Sequence, residues 1–366
     1  SDMSDMSDMS DMSDMSDMSD MKGMRHEHGP RQETFNYDQL KSEAKTTLRN
    51  LNNLKQINFD LTGNMWRYVW SINGKTLSEV DMIKIKKGEA VRITLNNFTM
   101  MHHPMHLHGH FFRVINKNGE YSPLKHTVDV APMSSTTIEF DANEDGDWFF
   151  NCHVLYHMKG GMARVFSYQT PRDERLKNYK LSNIMDMDNH WFTWGRVQAA
   201  SHMSSFEIIT SNTRNQINLG AEYGYNKNLE ADFSYERYLS EYLRGFIGLN
   251  SENKQKDSIQ KIETVGTIGM RWMLPYFIDT EVRIDTDLKL QFSLGTEYLI
   301  LPRTMLFTRL EVANDWGWKK SLSTGKSWDQ EYTWDTGLDY VLSKNFVLTA
   351  SFDNRFGLGA GLIYLW

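Results

Sequence analysis

Two sets of short alternating segments predict an all-β chain, one irregular and broken by turn dipeptides between residues 55 and 168, the other more regular from about residue 217 onward. Successive residues of a strand point to opposite faces, so apolar and polar residues that alternate mark a sheet whose two faces meet different surroundings. No run of 18 or more apolar residues occurs, which excludes a conventional transmembrane helix and leaves a transmembrane β-barrel open. The expected architecture is a small β-sandwich followed by an antiparallel β-barrel of about ten strands, with a disordered Met-rich N-terminus ahead of both.

Residues 1–54 form the Met-rich segment. Seven copies of Ser-Asp-Met fill residues 1–21, followed by Met24, His26 and His28. Such a stretch has almost nothing to bury. Its thioethers are soft ligands suited to Cu(I), and a spacing of three lets several sulfurs converge on one ion; a low-complexity linker is the competing reading. Because the chain opens at Ser1 inside the repeat, without an initiator Met or a signal-like segment, we expect a fragment or a processed form.

The sandwich is expected over residues 55–169, with strands at Arg92–Leu95, Phe111–Ile115, Thr136–Phe140 and Ala163–Tyr168. Asn73-Gly74, Asn118-Gly119 and Asp145-Gly146 supply turn chemistry. A polar, charged linker follows at 170–189, with Met185, Met187 and His190 at its far end as either a copper relay or incidental composition. The barrel is expected over 190–366, where Leu290, Phe292, Leu294, Thr296 and Tyr298 alternate with Gln291, Ser293, Gly295 and Glu297. In the last strand Phe356, Leu358, Ala360, Leu362, Tyr364 and Trp366 share one face. A soluble sheet also alternates. The charged row Asp279, Glu281, Arg283 and Asp285 and the aromatic residues near strand ends favour a polar lumen, a lipid-facing exterior and the outer membrane, as does the terminal Trp366.

Net charge is −7, which gives no basic field for a phosphate backbone and excludes nucleic acid as an expected partner. Cys152 is the single cysteine and cannot form an intrachain disulfide. It lies in Asn151-Cys152-His153-Val154-Leu155-Tyr156-His157-Met158-Lys159-Gly160-Gly161-Met162, some forty residues after His103-Pro104-Met105-His106-Leu107-His108-Gly109-His110. A thiolate, two imidazoles and a weak axial thioether are the ligand set of electron-transfer copper, here His103, Cys152, His157 and Met162. Zinc is the competing metal, but a structural zinc site wants four strong ligands and more thiolates than one. His106 and His108, two apart, are expected to point together while His103 reaches elsewhere around a turn; Cys152 and His153 should point oppositely. Trp148, Phe149, Phe150 and Phe166 are expected to shield the site from water.

These two clusters resemble the last two copper motifs of the multicopper oxidases, and the Met-rich run is similar to that of the copper-resistance CopA-type branch. The resemblance covers residues 55–168 and implies a cupredoxin Greek-key fold with type 1 copper at His103, Cys152, His157 and Met162. It also implies a type 2 ligand at His106 and type 3 ligands at His108 and His153, with electrons leaving through Cys152 and His153. Asn151 stands where the family has a histidine, and the remaining cluster ligands belong to an N-terminal cupredoxin domain, which a partner domain or second subunit would have to supply. His102, His110 and His126 match no ligand and are expected to lie around the ligands or on the surface. The barrel resembles the copper-resistance outer-membrane CopB type. Together the resemblances imply copper tolerance: oxidation of Cu(I) or small reductants in the periplasm beside an outer-membrane anchor, or sequestration and electron transfer without complete oxidase activity.

Overall fold

The computed structural model describes residues 36–366 apart from 50, 65, 66, 68, 172, 256, 257 and 318–327. The Ser-Asp-Met repeats therefore lie outside the described residues. Two bodies follow one another along the chain, and both are built from strands, as expected.

The first contains β1 (Leu54–Asn64), β2 (Val69–Ile72), β3 (Ile83–Lys84), β4 (Ala90–Asn97), β5 (His103–Leu107), β6 (Phe112–Val114), β7 (Leu124–Lys125), β8 (Thr127–Val130), β9 (Ser135–Asp141), β10 (Asp147–Cys152) and β11 (Ala163–Ser167). One sheet runs β2-β1-β4-β9-β6-β7 and the other β3-β11-β10-β5-β8. Phe59, Leu61, Trp70, Ile93, Leu95, Leu107, Phe140, Phe150 and Phe166 fill the space between them. Asn73-Gly74 turns the chain with both residues at positive φ, as a two-residue hairpin loop requires. Between β10 and β11 the chain forms one short helix, α1 (Leu155–Lys159).

The linker is more structured than its polarity suggests. It holds a second short helix, α2 (Ser182–Met185), and Met185 and Met187 pack against an apolar cluster of Leu77, Ala163 and Val165 on the sandwich. Those two thioethers thus serve packing.

The second body is a closed antiparallel barrel of twelve strands, β12 (Phe192–Ala200), β13 (Met203–Ser211), β14 (Asn215–Gly224), β15 (Asn228–Tyr238), β16 (Leu243–Gln255), β17 (Ser258–Leu274), β18 (Ile278–Asp285), β19 (Leu290–Leu301), β20 (Thr304–Asp315), β21 (Asp329–Val341), β22 (Phe346–Asp353) and β23 (Gly357–Leu365). The ten-strand expectation accounts for β14 to β23 and misses β12 and β13. Gly195, Ala199 and Ala200 blur the alternation in one, and the adjacent Ile208 and Ile209 break it in the other. β12 closes the barrel against β23, from Arg196 beside Leu365 to Ala200 beside Gly361.

The barrel is apolar outside and charged within. Leu219, Ile247, Leu249, Ile268, Leu338 and Leu348 are exposed along the middle of their strands. Exposed aromatic residues gather at both ends: Trp272, Tyr298, Tyr340, Tyr364 and Trp366 near one rim, Tyr223, Tyr225, Tyr332 and Trp334 near the other. Inside, Arg355 pairs with Glu222 at 2.7 Å and Glu230 at 2.5 Å, Arg271 with Glu281 at 2.6 Å and with Glu236, and Arg244 with Glu236 at 3.1 Å. Two interior cavities of about 170 and 350 Å³ are lined by these groups and their neighbours. One expected outward residue differs: Phe356 is buried against Ala200 and Met203. It precedes Gly357, whose φ of +94° interrupts the alternation before β23 begins.

Candidate metal centre

The alternation of β5 sorts its residues between two environments. His103, Met105 and Leu107 are buried on the core side, whereas His106 faces the other way. β10 pairs with β5 so that Cys152 lies opposite Met105 and Asn151 opposite His106. Cys152 therefore shares the core side with His103. The odd spacing of 103 and 106 within one strand separates their faces, so no turn is needed to send His103 elsewhere.

α1 then brings His157 back over the end of β10. The loop is laced shut, with Met162 N donating to His157 O at 3.0 Å and Cys152 N donating to Met162 O at 3.1 Å. Cys152 Sγ lies 3.7 Å from His103 Nδ1 and 3.6 Å from His157 Nδ1, and the two Nδ1 atoms are 3.1 Å apart. Met162, also fully buried, belongs to the same core cluster as Cys152. Among the described residues, His103, Cys152 and His157 are the one group of three His, Cys or acidic side chains whose ligand atoms gather within 4.8 Å. Three soft or borderline donors facing one another in a dry pocket fit a copper ion.

Electrostatics prepare the same donors. Burial, with His157 and His102 nearby, pushes the His103 pKa down to about 4, and burial lowers that of His157, so both imidazoles are neutral near pH 7. Burial pushes the Cys152 thiol up to about 12. Without a cation the thiol stays protonated and inert; a bound metal would displace that proton.

Three residues that the sequence did not single out support the ligands. Thr99 Oγ1 sits 2.7 Å from His103 Nε2 and donates to Asn97 Oδ1 at 2.9 Å, so it accepts the His103 Nε2–H and leaves Nδ1 free for a metal. Asn97 is fixed in turn by donating to the carbonyls of Met101, Val130 and Ala131. Trp70 lies 4.0 Å, centroid to centroid, from His157 and 5.5 Å from His103. Of the aromatic shield expected from neighbouring sequence, Phe150 and Phe166 are in the core, but Phe149 packs with Leu77 and Val165, and the ring against the imidazoles is Trp70 from a distant strand. The Asn97-Phe98-Thr99 turn before the His cluster could have flagged the Thr99 support; nothing in sequence flagged Trp70.

The other histidines gather on the outer face. His106 and His108 have ring centroids 4.6 Å apart, as their spacing implied, and His153 is 5.8 Å from His106. His153 is exposed and points away from Cys152. His126 lies 5.3 Å from His106, and His102 pairs with Asp129 at 2.7 Å on the surface. His110 is instead a core residue, its Nε2 2.6 Å from the Tyr168 hydroxyl and its ring parallel to that phenol. Asn151 Nδ2 donates to Cys152 O at 2.8 Å, and its buried Oδ1 has no partner.

Residues 50–172 match the profile of the family described as multicopper oxidase. The chain is 43% identical over 110 residues to copper resistance protein A of Escherichia coli, covering 30% of this chain and 18% of that protein. It is 37% identical over 108 residues to multicopper oxidase MmcO of Mycobacterium tuberculosis, covering 30% of this chain and 21% of the relative. Among solved structures, the McoA multicopper oxidase of the hyperthermophile Aquifex aeolicus is 26% identical over 34% of this chain and 31% of that one, with a TM-score of 0.29. The chain thus spans about a fifth of the length of the curated relatives it matches.

Proposed function

We propose, from the premise that residues 50–172 carry a multicopper oxidase cupredoxin domain, that this chain serves copper tolerance by passing electrons through a type 1 copper that His103, Cys152, His157 and Met162 would hold. The observation that carries this reading is the meeting of Sγ and two Nδ1 atoms within 3.7 Å of one another in a buried pocket. A copper ion bound there would supply one-electron redox chemistry. The chain would do the rest: the thiolate of Cys152 and the two imidazoles would hold the ion, Trp70 packs against both imidazoles, and Thr99 fixes the His103 tautomer. Cys152 and His153, adjacent in sequence and opposite in direction, offer a covalent path from the buried site to the outer face.

On this reading, Cu(I) or another small reductant is oxidised. Residues 1–54 are a copper-gathering segment, 55–169 the cupredoxin domain, 170–189 the linker and 190–366 a CopB-type barrel in the outer membrane, with the copper domain on its periplasmic side. Support for the membrane comes from the apolar exterior with aromatic belts at both ends, which would be costly in water and is what a bilayer demands. The barrel's turns support the orientation. On the rim that carries both ends of the barrel chain, none of the five turns exceeds four residues, whereas the opposite rim holds the 316–328 connection.

A second reading, copper binding or electron transfer without oxygen reduction, is favoured by one feature. His106, His108 and His153, the type 2 and type 3 candidates, do not converge as the type 1 candidates do, and Asn151 turns its amide to the backbone. Copper content per chain, a visible spectrum and oxygen uptake with Cu(I) or a phenol decide the matter. Blue colour with oxygen uptake supports the oxidase; one blue copper without uptake supports the electron-transfer module; no thiolate-to-copper band would sink both.

A further inference from the structure

The sandwich and the barrel meet at the short-turn rim, and the contact leads straight to the ligand loop. Arg214, in the turn between β13 and β14, grips Glu79 with a fork: Nε donates to Oε1 at 2.6 Å and Nη2 to Oε2 at 2.9 Å. Its Nη2 also donates to Gly74 O at 2.7 Å. Both side chains of the pair are largely buried, at 18% and 24% exposure. Glu79 Oε2 also accepts from Thr76 N at 2.9 Å and from Thr76 Oγ1 at 3.2 Å.

Thr76 is fully buried and presses on Gly161, where a Cβ would fall 2.4 Å from the Thr76 Cβ. Gly161 has φ +113°, which L side chains rarely adopt, so a glycine is needed there on two counts. Leu77 N donates to Gly161 O at 3.1 Å and Trp70 N to Gly160 O at 3.0 Å. Gly160 and Gly161 lie between His157 and Met162. The neighbouring barrel residue supplies a second strap: Thr213 Oγ1 donates to Asp188 O at 2.7 Å, while the Asp188 carboxylate accepts from Ser78 N at 3.0 Å and Ser78 Oγ at 2.7 Å. Thr213 O accepts from Arg67 Nη2 at 2.6 Å, and the Arg67 guanidinium lies 3.0 Å over the Tyr238 ring.

We infer that Arg214, a barrel residue, is a positioning residue for the copper loop: through Glu79 and Thr76 it fixes the Gly160-Gly161 segment that sets Met162 relative to His103, Cys152 and His157. The inference rests on the type 1 reading for its functional meaning, although the mechanical path does not depend on a metal. A thioether such as that of Met162 would be the weakest of the four donors and one that tunes the potential, so it is the donor most sensitive to a loosened loop. Docking on the barrel thereby adjusts the centre at which electrons arrive.

Full-length chain in detergent or lipid, loaded with copper, tests this. In Arg214→Gln the barrel should stay closed, as read by heat-modifiable migration. The relative intensity of the two thiolate-to-copper bands, the copper hyperfine splitting and the reduction potential should all shift. Glu79→Gln should give the same shift and the double variant no more, while Arg214→Lys, which keeps the charge but loses the fork, should shift partway. Arg303→Gln, on another turn of the same rim, should change nothing. Hydrogen exchange in the copper-free chain provides a readout without metal, and amides of Gly161 and Met162 should exchange about tenfold faster in Arg214→Gln. An unchanged blue centre in a folded Arg214→Gln chain overturns the inference and leaves the type 1 reading intact. Unchanged exchange overturns it whether or not copper binds. If the wild-type chain forms no blue centre, yet Arg214→Gln still speeds exchange at Gly161 and Met162, the positioning role stands and the type 1 reading falls.

Discussion

The sandwich and the barrel use the same period-two alternation and turn it in opposite directions. In the sandwich the apolar rows meet in a dry core, where Ile93, Leu107, Phe150 and Phe166 pack in one cluster with Cys152 and Met162. In the barrel the apolar rows face outward and the polar rows inward, so Arg271 and Glu236 occupy the position that a phenylalanine holds in the sandwich. Alternation therefore says that a sheet divides two environments without saying which is inside. In the sandwich, water outside forces the apolar face in; on the reading proposed here, lipid outside forces it out.

Removing the thiolate marks the difference most sharply. Cys152→Ser should abolish the visible thiolate-to-copper band and all electron transfer while the barrel migrates as a closed form on unheated gels; a variant that stays blue would defeat the ligand assignment. A smaller effect is expected on the barrel's outside. Ile268 is exposed between the aromatic belts, so Ile268→Arg should cost about 2–4 kcal/mol in urea titrations of the chain in phospholipid vesicles. A cost near zero would count against a lipid-facing exterior.

Acid should distinguish the two bodies by a similar amount. His103 has its folded pKa lowered from 6.5 to about 4, so between those values the unfolded chain binds a proton that the folded chain refuses. The copper-free sandwich should therefore lose stability as pH falls through this window, by up to about 3 kcal/mol at its lower end. Calorimetry at pH 7 and pH 4.5 reads this as a lowered sandwich transition; a transition that does not move would contradict a neutral buried His103. The smallest effect expected is that of Thr99→Val, which keeps the shape and removes the acceptor for His103 Nε2. Copper affinity should fall by roughly tenfold to a hundredfold in competition with a chelator, with no change in the barrel.

Particular residues show how far the sequence could be read. The turn dipeptide Asn73-Gly74 and the alternation of 290–298 gave their local structures correctly, because both signals are carried by adjacent residues and backbone sterics. β12 and β13 escaped because small residues in one and paired isoleucines in the other weaken the periodic signal, and only closure against β23 reveals β12 as a member of the barrel. Phe356 was placed on the wrong side for a similar reason, since a single glycine at positive φ reverses the direction of what precedes it.

At the candidate centre, residue types and spacing pointed to His103, Cys152, His157 and Met162, and the structure brings the ligand atoms of the first three together. The supporting groups were not legible. Trp70 stands 82 residues before Cys152, and Arg214 lies in the other body, so neither has a local mark that ties it to the ligands. What the sequence determined by itself was the alphabet of the chain: strands, turns and a donor set, all fixed by near neighbours. Which face of each strand meets solvent, which indole packs on the imidazoles and how the barrel rim reaches the copper loop were decided only by tertiary structure, because each depends on surfaces that meet after the chain has folded.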